Sequence, residues 1–312
     1  MRNRASLPLD RLARFTMAFQ SLDKGGKRVK VTFLGTAAAT ACPLVFCRCP
    51  VCRLAWRTGG PDFRRRSSAL IGEDLLIDLG PDLMSSAFAF GTDVSQIRFL
   101  LQTHSHSDHF DAGHLITRLP DYATEEPLPM AVCASPETLR HMSDALAREE
   151  PGADLLAEDW QARLRLSVHP LRHGDTVLLG NRRITAVESN HDPLDGSLLY
   201  VVEEDGRTFF YATDTMRLTD RAWALFRERG FAFDAVAIDA TYGPGTRGGG
   251  HLSADQAAEE IARMRMEGAL RPGGRAFATH ISHEGMPPHA EFERYAHAHG
   301  FEAAWDGLAL EI

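Results

Sequence analysis

The 312-residue sequence has no stretch approaching the roughly 20 unbroken apolar residues that a membrane-spanning helix needs. It has no surplus of positive charge either, since 34 Lys and Arg stand against 42 Asp and Glu and give a formal net charge of −8. Dedicated nucleic-acid binders neutralise phosphates with an excess of Lys and Arg, so this balance argues against nucleic acid as a partner. The segment 1–28 contains arginines but no compact apolar core of a secretory signal, which predicts a cytoplasmic location.

Cysteine is scarce, but three of the five cysteines share one short segment. Cys47, Cys49 and Cys52 lie within six residues, whereas Cys42 and Cys133 stand apart. A chain of this length builds its core without disulfides, and crowded cysteines in an intracellular chain are typical of metal ligands. The alternative, reduced cysteines without a metal, stays open at this point.

The sequence predicts an N-terminal extension, 1–28, and a single domain over 29–312. The extension contains a short amphipathic pattern over Asp10–Leu22, which Gly25-Gly26 would end. From Val29 onwards, short apolar runs alternate with Gly, Pro and Asp, and no linker divides them. The predicted strands are Val29–Leu34, Ala69–Ile71, Leu75–Ile77, Ile97–Leu101, Arg163–Val168, Thr176–Leu179, Ile184–Val187, Leu198–Val202, Thr208–Tyr211, Ala235–Ile238 and Arg275–Ala278.

Helical patterns are fewer and lie mostly in the second half of the chain. Ser253 is the expected N-cap of one of them. The predicted helices are Pro136–Arg148, Thr219–Arg229, Ala254–Arg263 and Ala290–His299. Because strand runs come first in each half, we expect an α/β fold in which two sheets pack face to face with helices outside.

The strongest chemical signal is a histidine-rich segment after the apolar run 97–101, with the sequence Thr103-His104-Ser105-His106-Ser107-Asp108-His109. Residues two apart in an extended segment point the same way, so His104 and His106 can bind one ion. Asp108 and His109 lie where the chain turns and can reach a second ion. Imidazoles suit zinc, and the carboxylate also admits manganese or iron.

Three further candidates each follow a predicted strand. They are His191, Asp214 and His280. A lone His or Asp in such a place is usually a cap or a solvated loop residue. Three of them in the same structural context predict the remaining ligands of the metal site.

This ordered series of residues resembles the metallo-β-lactamase superfamily of dinuclear hydrolases, whose fold is a four-layer αββα sandwich. The segments Leu34-Gly35-Thr36 and 76–80 are similar to the opening strands of that family. The resemblance also makes Asp108 a candidate catalytic residue. It implies two neighbouring divalent cations, the first held by His104, His106 and His191, the second by Asp108, His109 and His280, with Asp214 bridging them.

Asp78 follows one of these opening strands and has two interpretations. It is either a carboxylate that orients a metal ligand or the cap of a turn.

The segment Cys47-Arg48-Cys49-Pro50-Val51-Cys52 resembles a knuckle found in one subgroup, the cyclic phosphodiesterases of phosphonate catabolism. That subgroup supplies a fourth zinc ligand from the second His of a T-H-I-S-H segment, which is His283 here. The resemblance implies a structural Cys3His zinc site that fixes the nearby His280. The segments 305–308 and 64–68 also resemble this subgroup, although the three arginines of 64–68 alternatively form a solvated surface run.

His251 lies between a glycine-rich stretch and a predicted helix. Phosphodiesterase-like relatives have a His at the matching place, near the leaving group. The resemblance makes His251 the candidate general acid, and a loop histidine without a role is the alternative.

The resulting hypothesis is a metal-dependent hydrolase, with a small phosphodiester, cyclic or linear, as the first choice of substrate. A hydroxide held between two divalent cations (zinc or manganese, with iron also admitted) would attack phosphorus. The extension before Val29 and an insertion over Glu149–Trp160 could reshape the pocket. The oligomeric state stays open, with a homodimer among the options.

Four alternatives remain. An RNA-processing nuclease shares the metal motif, but it would need a basic docking arm. A lactone or thioester hydrolase uses the same fold. A protein like the B component of pyrroloquinoline-quinone biosynthesis shares the knuckle, although such relatives typically have an eroded metal motif. The last alternative is a metal-binding module without turnover.

Overall fold

The described part of the chain, residues 28–312 of a computed structural model, contains fourteen strands and eight helices. The predicted helix over Asp10–Leu22 lies outside the described residues. The strands are β1 Lys30–Gly35, β2 Ser68–Ile71, β3 Leu75–Ile77, β4 Phe99–Leu101, β5 Met130–Ala134, β6 Leu166–Pro170, β7 Thr176–Leu179, β8 Arg182–Glu188, β9 Leu198–Glu204, β10 Arg207–Ala212, β11 Phe233–Asp239, β12 Leu270–Thr279, β13 Glu302–Ala303 and β14 Ala309–Glu311. The helices are α1 Pro50–Thr58, α2 Leu83–Phe90, α3 Gly113–Ile116, α4 Pro136–Glu149, α5 Glu158–Leu164, α6 Asp220–Arg229, α7 Ala254–Met266 and α8 His289–Ala298.

The strands form two seven-stranded mixed sheets. The first has the order β14-β1-β2-β3-β4-β5-β6, and the second has the order β13-β12-β11-β10-β9-β8-β7. In the first sheet β3 to β6 run parallel, and in the second β10 to β13 run parallel. The parallel strands of each sheet therefore end at a common edge, where loops can bring their side chains together.

Alternate residues along the strands belong to different cores, which defines the layers. Phe209 and Tyr211 of β10 lie in the cluster between the sheets, whereas Phe210 between them packs against Phe226 of α6, with ring centroids 5.2 Å apart. The first sheet shows the same alternation, since Leu100 of β4 packs with the α4 and α5 side chains. Two sheets between two helical layers make the αββα sandwich, and the predicted fold class is confirmed.

One predicted strand, Arg163–Val168, is wrong at its start. Helix α5 ends at Leu164, and β6 begins only at Leu166. Trp160 and Leu164 are spaced i,i+4 and are both buried, so the helix has an apolar face to pack. Arg165, with a φ of 53°, separates the two elements.

The insertion over Glu149–Trp160 packs on the outer face of the first sheet. Leu155 and Trp160 are buried in the same cluster as Leu139 of α4. None of its residues lines the cavity described below. The insertion therefore does not contribute to this cavity, because its apolar residues are buried in the outer helical layer. The other segment expected to reshape the pocket, the extension before Val29, lies outside the described residues up to residue 27.

The arginines of 64–68 are not simply a solvated run. Arg64 is buried and donates to Thr36 Oγ1 at 2.8 Å and to the Ala304 carbonyl at 2.5 Å. Asp306 accepts from Thr36 Oγ1 at 2.7 Å and from the Arg65 N–H at 2.6 Å. These bonds join the end of β1 to the closing segment of the chain.

Among residues 28–312, no helix is long and apolar enough to cross a membrane.

Candidate metal centre

The candidate ligands all lie in loops that follow strands, at one edge of the sandwich. The histidine-rich segment follows β4, and His191 follows β8. Asp214 and His280 follow β10 and β12, whose carboxyl ends meet because β10, β11 and β12 run parallel. The structure brings all seven predicted ligands together at this edge.

Three residues of this region have a positive φ although they are not glycine. Asp78, Asp214 and His280 have φ values of 66°, 51° and 57°. Residues with a side chain rarely adopt this left-handed conformation, which costs free energy unless the surroundings enforce it. Strained backbone at the ends of three strands is typical of a functional site.

The first predicted ion site is a group of three histidines. One ligand atom of each of His104, His106 and His191 lies within 4.8 Å of the others. His106 turns its Nδ1 toward His191 Nε2, at 3.4 Å.

The second group is formed by Asp108, His109, Asp214 and His280, all buried. Asp214 Oδ2 lies 2.6 Å from His109 Nε2 and 3.3 Å from His104 Nε2, while its Oδ1 lies 2.9 Å from His280 Nε2. One carboxylate therefore faces both groups, which is the arrangement that a bridging ligand requires.

The ring nitrogens that point away from the centre have partners of their own. His109 Nδ1 lies 2.7 Å from Asp78 Oδ2, and His280 Nδ1 lies 2.9 Å from Thr241 Oγ1. His191 Nδ1 lies 3.2 Å from the Gly250 carbonyl. Such partners fix the orientation of a metal-binding imidazole and leave the other nitrogen for the ion.

The chemistry of this donor set fits a pair of divalent cations. Four buried atoms of the centre make no hydrogen bond of acceptable geometry within the described chain: His104 Nε2, His109 Nε2, His280 Nε2 and Asp214 Oδ1. Buried polar atoms are rarely left without a partner. Imidazole nitrogens with carboxylate oxygens are ligands of zinc, manganese and iron.

The charges of the centre shift its histidines in opposite directions. Burial by itself lowers the pKa of His109, but the carboxylates of Asp108 and Asp214 outweigh it and hold the pKa well above its usual range. Burial and the neighbouring His109 hold the pKa of His104 well below its usual range. Metal ions compete with protons for such groups, so metal binding releases protons.

His251 lies beside the second group, with its ring centroid 5.2 Å from that of His280. Its Nδ1 is 3.0 Å from Asp239 Oδ2 and 3.2 Å from Asp214 Oδ1. Burial lowers the pKa of His251, but its contacts with Asp214 and Asp239 outweigh this and raise it to about 10.

An open cavity of about 300 Å³ gives access to the centre. Its lining includes His251 and most of the predicted ligands: His106, Asp108, His191, Asp214 and His280. The other described residues that line it are Ala38, Ala39, Thr40, Thr241, Tyr242, Ser282 and Glu284, and none of them is Lys or Arg.

The three crowded cysteines and His283 form a separate group. His283 Nδ1 lies 3.4 Å from Cys49 Sγ and 3.7 Å from Cys47 Sγ, and all four ligand atoms lie within 4.8 Å of one another. Burial by itself raises the pKa of Cys49, but the Cys52 N–H and the His283 ring outweigh it and lower it to about 6. A lowered thiol pKa favours the thiolate that binds zinc.

Sequence reasoning missed Asp239, the last residue of β11. This fully buried carboxylate accepts hydrogen bonds from the Thr241 N–H at 2.9 Å and the Thr215 N–H at 3.2 Å, besides its contact with His251. Its position at the end of an apolar run, like that of Asp214, was the available signal.

Asp78, for which two interpretations were open, orients a predicted ligand. In addition to His109, it accepts from the Thr103 N–H and hydroxyl, both at 2.8 Å.

Comparison with known proteins identifies a family and relatives that align with about half to nine-tenths of the chain. Residues 73–281 match the family described as the β-lactamase superfamily domain. Coenzyme PQQ synthesis protein B of Methylobacterium nodulans is 26% identical over 320 residues, which cover 91% of this chain and 100% of that protein. Ribonuclease Z of Mycobacterium marinum is 28% identical over 150 residues, which cover 46% of this chain and 54% of that protein.

A solved structure described as a new diphosphatase from the PhnP family is also similar. It superposes with a TM-score of 0.68 at 23% identity and covers 92% of this chain and 98% of its own. At this identity the similarity establishes the fold.

Proposed function

Since this chain belongs to the β-lactamase superfamily, we propose that it is a metal-dependent hydrolase that cleaves a small phosphodiester at a dinuclear centre. The observation that carries the proposal is Asp214, a buried carboxylate whose two oxygens face two groups of imidazoles. If the protein bound only one cation, in one of the two groups, no carboxylate would have to contact both groups.

Three histidines, His104, His106 and His191, would hold the first cation. Asp108, His109 and His280 would hold the second, with Asp214 shared by both. When bound, two divalent cations supply Lewis-acid chemistry, because they neutralise charge on phosphoryl oxygens and lower the pKa of water. The seven side chains would fix the positions of the two cations, so Asp108 is proposed both as a metal ligand and as a catalytic residue.

His251 is proposed as the group that delivers a proton to the departing oxygen. Its Nδ1 is held by Asp239 and Asp214, and the residue lines the cavity. With Nδ1 engaged, the outer Nε2 is the nitrogen left to serve the leaving group.

Three thiols and His283 are proposed as a structural zinc site. Helix α1 begins directly after Cys49 and carries Cys52, so the site would join this helix to the segment that carries His280. A closed set of three sulfurs and one imidazole is typical of structural zinc.

A small phosphodiester is favoured because the cavity is only about 300 Å³ and, among residues 28–312, no Lys or Arg lines it. The metal charges would then bind the single negative charge of the ester. Hydrolysis of bis(p-nitrophenyl) phosphate by metal-analysed protein tests the proposal, followed by a panel of cyclic and linear phosphodiesters, lactones and thioesters. If neither the zinc-loaded nor the manganese-loaded protein releases p-nitrophenolate, the proposal is wrong. Turnover of lactones or thioesters alone would indicate a hydrolase of a different substrate class.

We expect His251→Asn to slow hydrolysis in a way that depends on the leaving group. An alkyl ester needs a proton on its departing oxygen, so its rate should fall by about 10²- to 10⁴-fold. A p-nitrophenolate leaves unprotonated, so its rate should change by less than about 10-fold. The measurement is kcat/KM for paired alkyl and p-nitrophenyl esters of methylphosphonate, with metal content determined for both proteins.

Equal losses for the two esters, with both cations bound, would show that His251 does not supply the proton. His297→Asn on α8 is a suitable control, because His297 does not line the cavity.

A role like that of coenzyme PQQ synthesis protein B is the second candidate. It is supported by a relative that aligns over 91% of this chain and over its own full length. It predicts metal-loaded protein without turnover of any ester in the panel.

A further inference from the structure

A short loop, Asp192–Gly196, lies directly after the predicted ligand His191 and leads into β9. Within it, Asp192 Oδ1 accepts from the Leu194 N–H at 2.9 Å and from the Asp195 N–H at 3.3 Å, which closes a tight turn. The turn directs two carboxylates, Asp192 and Asp195, back toward the histidine-rich segment.

Asp195 is buried and accepts two hydrogen bonds from Ser105, the residue between the predicted ligands His104 and His106. Its Oδ2 accepts from the Ser105 N–H at 2.5 Å, and its Oδ1 accepts from the Ser105 hydroxyl at 2.7 Å. Because Ser105 separates His104 from His106, holding its backbone fixes the angle between the two imidazoles.

Asp192 holds the outer face of His106. Its Oδ2 lies 3.2 Å from His106 Nε2, so that Nδ1 is the nitrogen turned toward His191. The His106 side chain is 45% exposed, against 0% for His104 and His109. An exposed ring has few packing contacts to fix it, so a hydrogen-bonded carboxylate has most effect here.

The loop is itself anchored on the N-terminus of α4. The Asp195 carbonyl accepts from Ser135 Oγ at 3.0 Å and from Thr138 Oγ1 at 2.8 Å, and its carboxylate contacts the His141 ring. Gly196, with a φ of 64°, lies so close to Ser135 that a Cβ would stand 2.8 Å from the hydroxyl. A rigid helix thus supports the carboxylates that face the ligands.

We propose that Asp195 and Asp192 are positioning residues for the first cation, acting through Ser105 and His106, with α4 as their support. The inference rests on the proposed dinuclear centre and deepens it. It predicts that this loop, which itself contributes no metal ligand, strengthens the binding of the first cation and has little effect on the second. In the second group the carboxylate that orients His109 is Asp78, 2.7 Å from His109 Nδ1, and it lies outside this loop.

The test is metal affinity rather than turnover. Cobalt(II) is titrated into metal-free wild type, Asp195→Asn, Asp192→Asn and Ser105→Ala. The two dissociation constants of this centre are resolved by the cobalt spectrum, after the separate binding to the cysteine site has been identified by its sulfur-to-cobalt charge-transfer band. Asp195→Asn places an amide N–H₂ against the Ser105 donors, and Asp192→Asn replaces one partner of His106. Each should weaken one constant by about 10- to 100-fold. The weakened constant should belong to the first cation, which is identified as the binding step that is lost in His106→Ala. The dissociation constant of the second cation should change by less than about 3-fold.

Ser105→Ala keeps the backbone N–H and should give a smaller loss than Asp195→Asn. Asp144→Asn, on the exposed face of α4, is the matched control and should leave both constants unchanged. Thermal unfolding of each metal-free variant is measured in parallel. Asp192 lies near the surface, so its variant tests the inference even where Asp195→Asn fails to fold.

Equal weakening of both constants, or lower thermal stability with both constants intact, would overturn the inference and assign the loop a structural role. Wild type that binds fewer than two cobalt ions in this centre would overturn it together with the proposed function. If wild type binds two ions but cleaves no ester, the hydrolase proposal is wrong. The positioning roles of Asp195 and Asp192 are then still judged from the measured dissociation constants.

Discussion

Asp214→Ala is expected to lower kcat/KM for phosphodiester hydrolysis by about 10³-fold or more, which corresponds to about 4 kcal/mol of transition-state stabilisation. Asp214 faces both groups of predicted ligands, because its carboxylate lies 3.3 Å from His104 of the first group and 2.6 Å and 2.9 Å from His109 and His280 of the second. Its removal takes a ligand from each cation and leaves their mutual repulsion uncompensated. The fold should survive, because Asp214 lies in a loop after β10 and the sheet cores do not include it.

The measurement combines steady-state rates with metal analysis and far-UV circular dichroism of the same preparation. Asp144→Ala, an exposed carboxylate on α4, should retain wild-type rate and metal content. Wild-type activity of Asp214→Ala with two cations per centre would refute the shared-ligand assignment.

Cys49→Ser is expected to remove about one equivalent of zinc and to destabilise the protein by about 4 kcal/mol or more. The Cys49 sulfur lies 3.4 Å from His283 Nδ1 and accepts the Cys52 N–H that opens helix α1. Serine does not supply a thiolate, so the closed set of four ligands is lost. His280 lies three residues before His283, so activity should fall together with zinc content.

Zinc content by mass spectrometry and the midpoint of chemical unfolding test this expectation. Cys42→Ala is the matched control, because Cys42 lies outside the group and burial raises its thiol pKa to about 11. It should keep the full zinc content. A Cys49→Ser protein that retains all of its zinc would mean that the knuckle does not bind it.

Much of the fold follows from local pattern. The strands Leu75–Ile77 and Thr176–Leu179 begin and end where the sequence predicts, and Ser253 caps α7 with a reciprocal bond to Gln256. The strand bounds and the helix cap depend on interactions within a few residues, which is why the sequence predicts them. Strand Arg163–Val168 failed because packing on the first sheet, and not local preference, makes its first two residues helical.

The residues that surround the ligands were largely hidden from sequence reasoning. Asp239, Asp195 and Asp192 resemble any other acidic residue at a strand end or in a turn. Arg64, for which a solvated surface run was one of two interpretations, is buried because Thr36 and the closing segment of the chain accept its hydrogen bonds. Such partners lie up to 240 residues away, and local sequence carries no signal of them.

The sequence by itself determined which atoms are available for metal chemistry, because the spacing of His104, His106, Asp108 and His109 in an extended segment and its turn already limits where their side chains point. Only the tertiary structure decided that one carboxylate, Asp214, is shared between two groups and which nitrogen of each ring is free for an ion. That choice depends on hydrogen bonds from other loops to the opposite side of each ring, and these loops meet only when strands distant in the sequence assemble into the same sheet.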